Sequence, residues 1–198
     1  MMKRHCLVSI LLLMVVCLAS CATSLAEMDV YANPTNGYQI SYPANWTILN
    51  RETIDAIIKL VMGGHIPGID GSVLEQYTTQ IQQMDAAMFI TPSGDMPVII
   101  YEDAHISLMP NLIKMMVCPQ VIAQYRLMFD EIEVLDPGSI IKIGDNEFVF
   151  LSMAVSPMGE KTQIDLYLYS QGKVMYTMTF SAEDPNTKDI LASFVPGK

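Results

Sequence analysis

Apolar residues recur along this chain with two spacings, one helical and one strand-like, and the change from one to the other divides it. Ile54, Ile57, Ile58 and Val61 stand at i, i+3, i+4 and i+7, the stripe of an amphipathic helix, and Gly63-Gly64 supplies its stop. Ser72-Val73-Leu74-Glu75 has the spacing of a capping box. Val73, Tyr77, Ile81 and Met84 follow on one face, so a second helix is expected there. Between Pro110 and Phe129 the pattern is again helical, with a kink or a fresh start expected at Pro119, whose ring clashes with a continuous helix.

Alternation by two marks the strands. Tyr38, Ile40 and Tyr42 alternate with Gln39 and Ser41, and Pro43 ends the run because it cannot donate to a ladder. Ala87 to Thr91 and Val98 to Glu102 read as two strands joined through Pro92-Ser93-Gly94-Asp95. From Ile132 onward the chain reads as an antiparallel meander punctuated by Asp136-Pro137-Gly138, Gly144-Asp145-Asn146, Pro157-Met158-Gly159 and Gln171-Gly172. Phe148 to Val155 is apolar at nearly every position, which calls for cover on both faces, and helices on each side would provide it. A closing helix is expected from Thr187 to Phe194, after Asp184-Pro185.

The N-terminal pattern concerns location. Lys3 and Arg4 lead into the apolar run Leu7 to Leu18, the length of a secretory segment and short of the roughly 20 residues that span a bilayer. The run ends in Leu18-Ala19-Ser20-Cys21, which resembles the bacterial lipobox. That resemblance implies a diacylglyceryl group on the Cys21 thiol, cleavage after Ser20 and an extracytoplasmic, lipid-anchored protein. Two alternatives stay open: ordinary cleavage after Ala26, which releases a soluble protein, and a buried core helix, which leaves the basic start unexplained. The expected organisation is a signal peptide over 1–20, a lipidated N-terminus and tether over 21–36, and one domain over 37–198. A tether of fifteen residues reaches at most about 50 Å, so the domain would work close to the membrane.

Charge narrows the partners. The chain has 11 Lys+Arg against 21 Asp+Glu, and losing Lys3 and Arg4 with the signal makes the balance −12. Such a body is repelled by nucleic acid and by anionic lipid, so no nucleic-acid partner is expected and attachment would rest on acyl chains. Cys6 and Cys17 leave with the signal and Cys21 would be acylated. Cys118 alone remains, which excludes an intramolecular disulfide and, in its apolar setting, favours a buried inert thiol over a reactive one.

The run Gly37-Tyr38-Gln39-Ile40-Ser41-Tyr42-Pro43-Ala44-Asn45-Trp46 also resembles the opening of PsbP-like domains. That superfamily includes the extrinsic photosystem II protein, the DcrB lipoproteins and a Ran-binding nuclear transport factor. The resemblance covers roughly residues 36 to 195, with Gly37, Tyr38, Tyr42, Pro43 and Trp46 as its signature. It implies an α+β fold, an antiparallel β-sheet meander sandwiched between helices. The matched residues build a core and say little of activity. No metal or partner residues of the photosynthetic member can be matched.

Catalytic chemistry is sparsely supplied. His65 and His105 lack neighbours at zinc-ligand spacing, and no nucleophile elbow, phosphate loop or dinucleotide fingerprint occurs. Glu102 and Asp103 near His105 read as a solvated loop end. Asp130-Glu131-Ile132-Glu133 and Asp145-Asn146-Glu147 read as solvated turns without the oxygen spacing of a calcium loop. Of 16 methionines, 13 remain after the signal. Thioethers bind Cu(I), but these Met lie scattered, so core filling is the preferred reading. Trp46 reads as a core plug before it reads as a ligand platform. The expectation is a non-enzymatic binding or assembly module with no cofactor, anchored to the membrane, whose protein partner or small ligand is unknown. The alternatives are a small-ligand or metal-ion-binding envelope lipoprotein and a secreted hydrolase.

Overall fold

The computed structural model describes residues 27–49, 85–129, 131–156, 161–182 and 184–197. The expected helices at 54–61 and 72–84, Cys21 with the lipobox, His65 and the Pro157-Met158-Gly159 turn lie outside the described residues.

Nine strands are described: β1 (Met28–Ala32), β2 (Gln39–Pro43), β3 (Thr47–Leu49), β4 (Asp85–Ile90), β5 (Val98–Asp103), β6 (Ile132–Ile143), β7 (Asn146–Val155), β8 (Thr162–Gln171) and β9 (Val174–Ser181). The last seven form one antiparallel sheet in the order β3-β4-β5-β9-β8-β7-β6, while β1 and β2 pair with each other as a separate ribbon. The meander β6 to β9 is continuous in the sheet, and two of its turns carry glycine where φ is positive, Gly144 at 59° and Gly172 at 62°. The fold is α+β, as the hydrophobic pattern and the resemblance both imply.

Both faces of the sheet are covered, as the apolar run of β7 requires. On one face Phe148, Tyr167, Tyr176, Met178 and Phe180 pack with Tyr38 and Ile40 of β2, with Trp46, and with Ile190 and Leu191 of a short helix, α3 (Thr187–Ala192). On the other, Val149, Leu151, Met153, Leu166 and Leu168 pack under Leu108, Ile113 and Cys118. These last residues belong to a helical segment made of α1 (Pro110–Leu112), a π-helical turn (Ile113–Val117) and α2 (Cys118–Met128). Met175 and Met178 fall on opposite faces, which fits core filling.

Two expectations change. The segment 21–36 is not a tether throughout: Met28–Ala32 is a strand registered on β2, with Tyr31 opposite Ile40, and Tyr31 touches the rings of Tyr38 and Phe89. Its exposed Asp29 and Val30 disguised the alternation. Asp136-Pro137-Gly138 is a bulge inside the twelve-residue β6, where Asp136 Oδ1 accepts the Gly138 and Ser139 amides, and not a turn between strands. The fresh start expected at Pro119 is found: α2 begins at Cys118, with Pro119 in its first turn. The π turn before it widens the ladder, with the Cys118 amide donating to Ile113 O, and takes up the missing proline donor and the ring.

The ribbon is also tied to the chain end. The Gln39 amide donates to Val195 O and the Val195 amide to Gln39 O, at 2.8 and 2.9 Å, and Ser193 Oγ accepts the Ser41 amide at 2.8 Å. This holds β2 over the sheet beside α3.

Candidate functional site: a polar cleft where three loops meet

Three short connections, each opening with or containing a proline, converge at one corner of the sheet. The first leaves β2, with the Trp46 amide donating to Pro43 O at 2.9 Å. The second joins β4 to β5 and is locked by its own side chains. Thr91 Oγ1 accepts the Asp95 amide at 3.0 Å and shares a 2.8 Å hydrogen bond with Ser93 Oγ. Ser93 Oγ lies 2.7 Å from Asp95 Oδ2. The third precedes α3, where Asp184 Oδ1 accepts the Asn186 amide at 2.9 Å and its side-chain Nδ2 at 3.1 Å, and the Thr187 hydroxyl donates to Asp184 O.

Between them lies a cleft of about 400 Å³. Asn45, Thr91, Ser93, Asp95, Asp184 and Asn186 line it with polar groups, and Trp46 with three prolines supplies the apolar wall. Its volume is that of a small-molecule site, and its lining is more polar than is usual for one, six of ten residues. Among the described residues, no Lys, Arg or His lines it. Asp184 Oδ2 is sealed from solvent and has no hydrogen-bond partner among the described residues. Trp46 is only 7 % exposed and packs on Phe89 with ring centroids 6.0 Å apart, so most of its side chain belongs to the core and only a small part borders the cleft.

The residues expected as a signature spread along β2 from this corner to its far end. Tyr38 is buried against Tyr176, and Tyr42 packs on Phe89 with centroids 5.2 Å apart. Pro43 and Trp46 reach the cleft itself, and Gly37 takes a φ of 71° in the turn between β1 and β2. The polar residues of the cleft carry no sequence signal beyond turn chemistry: Thr91-Pro92-Ser93-Gly94-Asp95 and Asp184-Pro185-Asn186 read only as connections, because their convergence spans distant parts of the chain.

A second polar cluster lies inside the sheet. Ser152 and Asp165 are cross-strand partners on β7 and β8. The Ser152 hydroxyl donates to Asp165 Oδ1 at 2.6 Å, and Gln163 Nε2 donates to both at 3.1 Å. Burial first, and the Asp165 charge second, push the Tyr167 phenol up to about 12. The serine proton is committed to a carboxylate with no imidazole in the set, so the cluster is suited to holding two strands in register and not to activating a nucleophile.

The other residues considered from sequence are dispersed. His105 is exposed on a loop, its backbone amide bonded to Asp103 Oδ1 at 2.8 Å and its Nδ1 3.4 Å from the same oxygen. Burial raises the Glu102 carboxyl above the ordinary carboxylate range. Glu133 pairs with Lys161 across an exposed surface, and that hydrogen bond and charge lower its pKa. Cys118 is fully buried, and desolvation raises its thiol pKa. Among the described residues no three His, Cys, Asp or Glu side chains converge as metal ligands, and no helix is long and apolar enough to cross a membrane. The outer face of the α1–α2 segment exposes Met109, Met115, Met116 and Leu127, the last at 78 %.

No protein-family profile and no curated protein sequence matches this chain. Among solved structures it is similar to the cyanobacterial PsbP (CyanoP) of Synechocystis sp., with 13% identity over 88% of this chain and 95% of that one, and a TM-score of 0.51. Two others align less closely. LpqN, involved in cell envelope biogenesis of Mycobacterium tuberculosis, has 12% identity over 87% and 81% of the two chains and a TM-score of 0.38. A Bacteroides thetaiotaomicron protein has 12% identity over 85% of this chain and a TM-score of 0.45, and the present chain spans about half of it, 48%. The sheet, its helical cover and the CyanoP likeness together give this chain a PsbP-like fold.

Proposed function

We propose that the protein is a lipid-anchored, extracytoplasmic binding module without catalytic turnover, and that the cleft beside Trp46, Asp95 and Asp184 is its binding site. The convergence of six polar side chains from three loops on one preformed cleft carries this reading. Leu18-Ala19-Ser20-Cys21 supports the anchor. With β1 beginning at Met28, six residues separate Cys21 from the folded body, a reach of about 20 Å, so an acylated Cys21 holds the cleft near the bilayer.

A fragment screen by NMR on the mature chain tests the site. Amide shifts should concentrate on Asn45, Thr91, Ser93 and Asn186 and on the Trp46 indole, and fragments that perturb other regions only would overturn the assignment. Metabolic labelling with an alkyne fatty acid tests the anchor: label should be present in the native protein and absent in Cys21→Ser. An unacylated mature chain starting at Glu27 would refute it. Esterase, peptidase and phosphatase substrates should show no turnover.

A second reading, assembly with a protein partner, is favoured by the exposed Met109, Met115, Met116 and Leu127. Crosslinking from these positions in membranes would separate it from ligand binding.

A further inference from the structure

On the reading of the chain as lipid-anchored, we propose that the outer face of the α1–α2 segment lies on the bilayer surface and prefers anionic lipid. Charge is the first ground. The protein carries 21 Asp+Glu against 11 Lys+Arg, yet no carboxylate occurs between Asp103 and Asp130, a run that holds Lys114 and Arg126, both exposed. An anionic surface that the rest of the body repels is therefore attracted here, and each basic side chain near it adds to the attraction.

The placing of the exposed apolar residues is the second ground. Met109, Met115, Met116 and Leu127 are exposed while Ile113 and Cys118 of the same segment pack on the sheet. Met116 and Leu127 are separated by about 16 Å of helix, and Gln120, Ala123 and Gln124 are exposed between them. A shape-complementary protein interface needs a contiguous apolar core, whereas a bilayer is a flat liquid into whose interfacial zone separate side chains each insert. Unbranched Met adapts to such irregular surroundings, and Lys114 and Arg126 keep their charges at headgroup level while their stems lie against apolar groups. An acylated Cys21 would hold this face at high local concentration beside lipid, so a weak contact suffices.

The test uses the mature lipidated chain in vesicles of phosphatidylcholine, with and without about 30 mol % phosphatidylglycerol. A fluorophore is placed through Met116→Cys, Leu127→Cys or, as reference, Val30→Cys, and the native Cys118 is buried and stays unlabelled. Val30 is exposed on β1, close to Cys21 along the chain, and the β1–β2 ribbon covers the opposite face of the sheet from α1–α2. Tethering alone would therefore bring Val30 at least as near to lipid as Met116 or Leu127. In anionic vesicles, phosphatidylcholine with a nitroxide high on its acyl chain should quench the labels at 116 and 127 at least about twofold more than the label at 30. Lys114→Gln combined with Arg126→Gln should remove most of the increment that phosphatidylglycerol gives, at an unchanged melting temperature. Equal or greater quenching at position 30 would overturn the proposal, as would labels at 116 and 127 that are shielded from aqueous iodide yet unquenched by lipid, the sign of a protein on this face. The same quenching in neutral and anionic vesicles would overturn the preference for anionic lipid. The anchor fails separately, if the native protein takes up no fatty-acid label.

Discussion

The Sγ of Cys118 lies 3.2 Å from the point where a Cβ on Gly138 would stand, so helix α2 meets the bulged strand β6 so closely that a methyl group there would press on the sulfur. Gly138 also has a φ of 129°, a backbone that side-chain-bearing residues rarely adopt. The helical layer thereby sits directly on the bulge that Asp136 organises.

Gly138→Ala should therefore destabilise the protein by about 1–3 kcal/mol, from overpacking and backbone strain together. Adding Cys118→Ala removes the steric part and leaves the backbone part. Denaturant unfolding of the single and double variants measures the split, and a Gly138→Ala change of under about 0.5 kcal/mol would show that the layer is loose.

Trp46→Ala should cost on the order of 3–5 kcal/mol, the range for truncating a large buried aromatic. Its indole packs on Phe89 at the end of the ribbon, so the loss should appear as a lower midpoint in equilibrium unfolding. A loss under about 1 kcal/mol would place Trp46 outside the core and in the cleft alone.

Asp165→Ala should cost about 1–3 kcal/mol, because it leaves the buried Ser152 hydroxyl without its acceptor. The same site gives an alkaline signature. Tyr167 has a folded pKa raised from 10.0 to about 12, so its contribution is fully present below pH 10 and is lost as pH rises towards 12. That window carries on the order of 2–3 kcal/mol. Unfolding curves from pH 9 to 12 measure the loss, and Tyr167→Phe should flatten it.

Cys118 should be unreactive towards a thiol reagent in the folded mature chain and react fully in denaturant, because it is buried and its thiol pKa is raised. Fast modification of the native protein would show that α2 opens readily.

The sequence by itself determined the strands of the meander, the double cover over Phe148 to Val155 and the closing helix, because each of these is written in local spacing: period two, an unbroken apolar run, and a turn residue where the chain reverses. It also carried the opening signature around Trp46. Only the tertiary structure decided that Met28–Ala32 is a strand, because a ribbon with exposed Asp29 and Val30 is stabilised by pairing with β2 and not by its own alternation. Tertiary packing likewise turned Asp136-Pro137-Gly138 from a break into a bulge, and set a π turn directly ahead of the helix start that Pro119 marks. The cleft belongs wholly to that level. Asn45, Asp95 and Asp184 are far apart along the chain, and a binding site made by three loops exists only where the sheet brings their ends together.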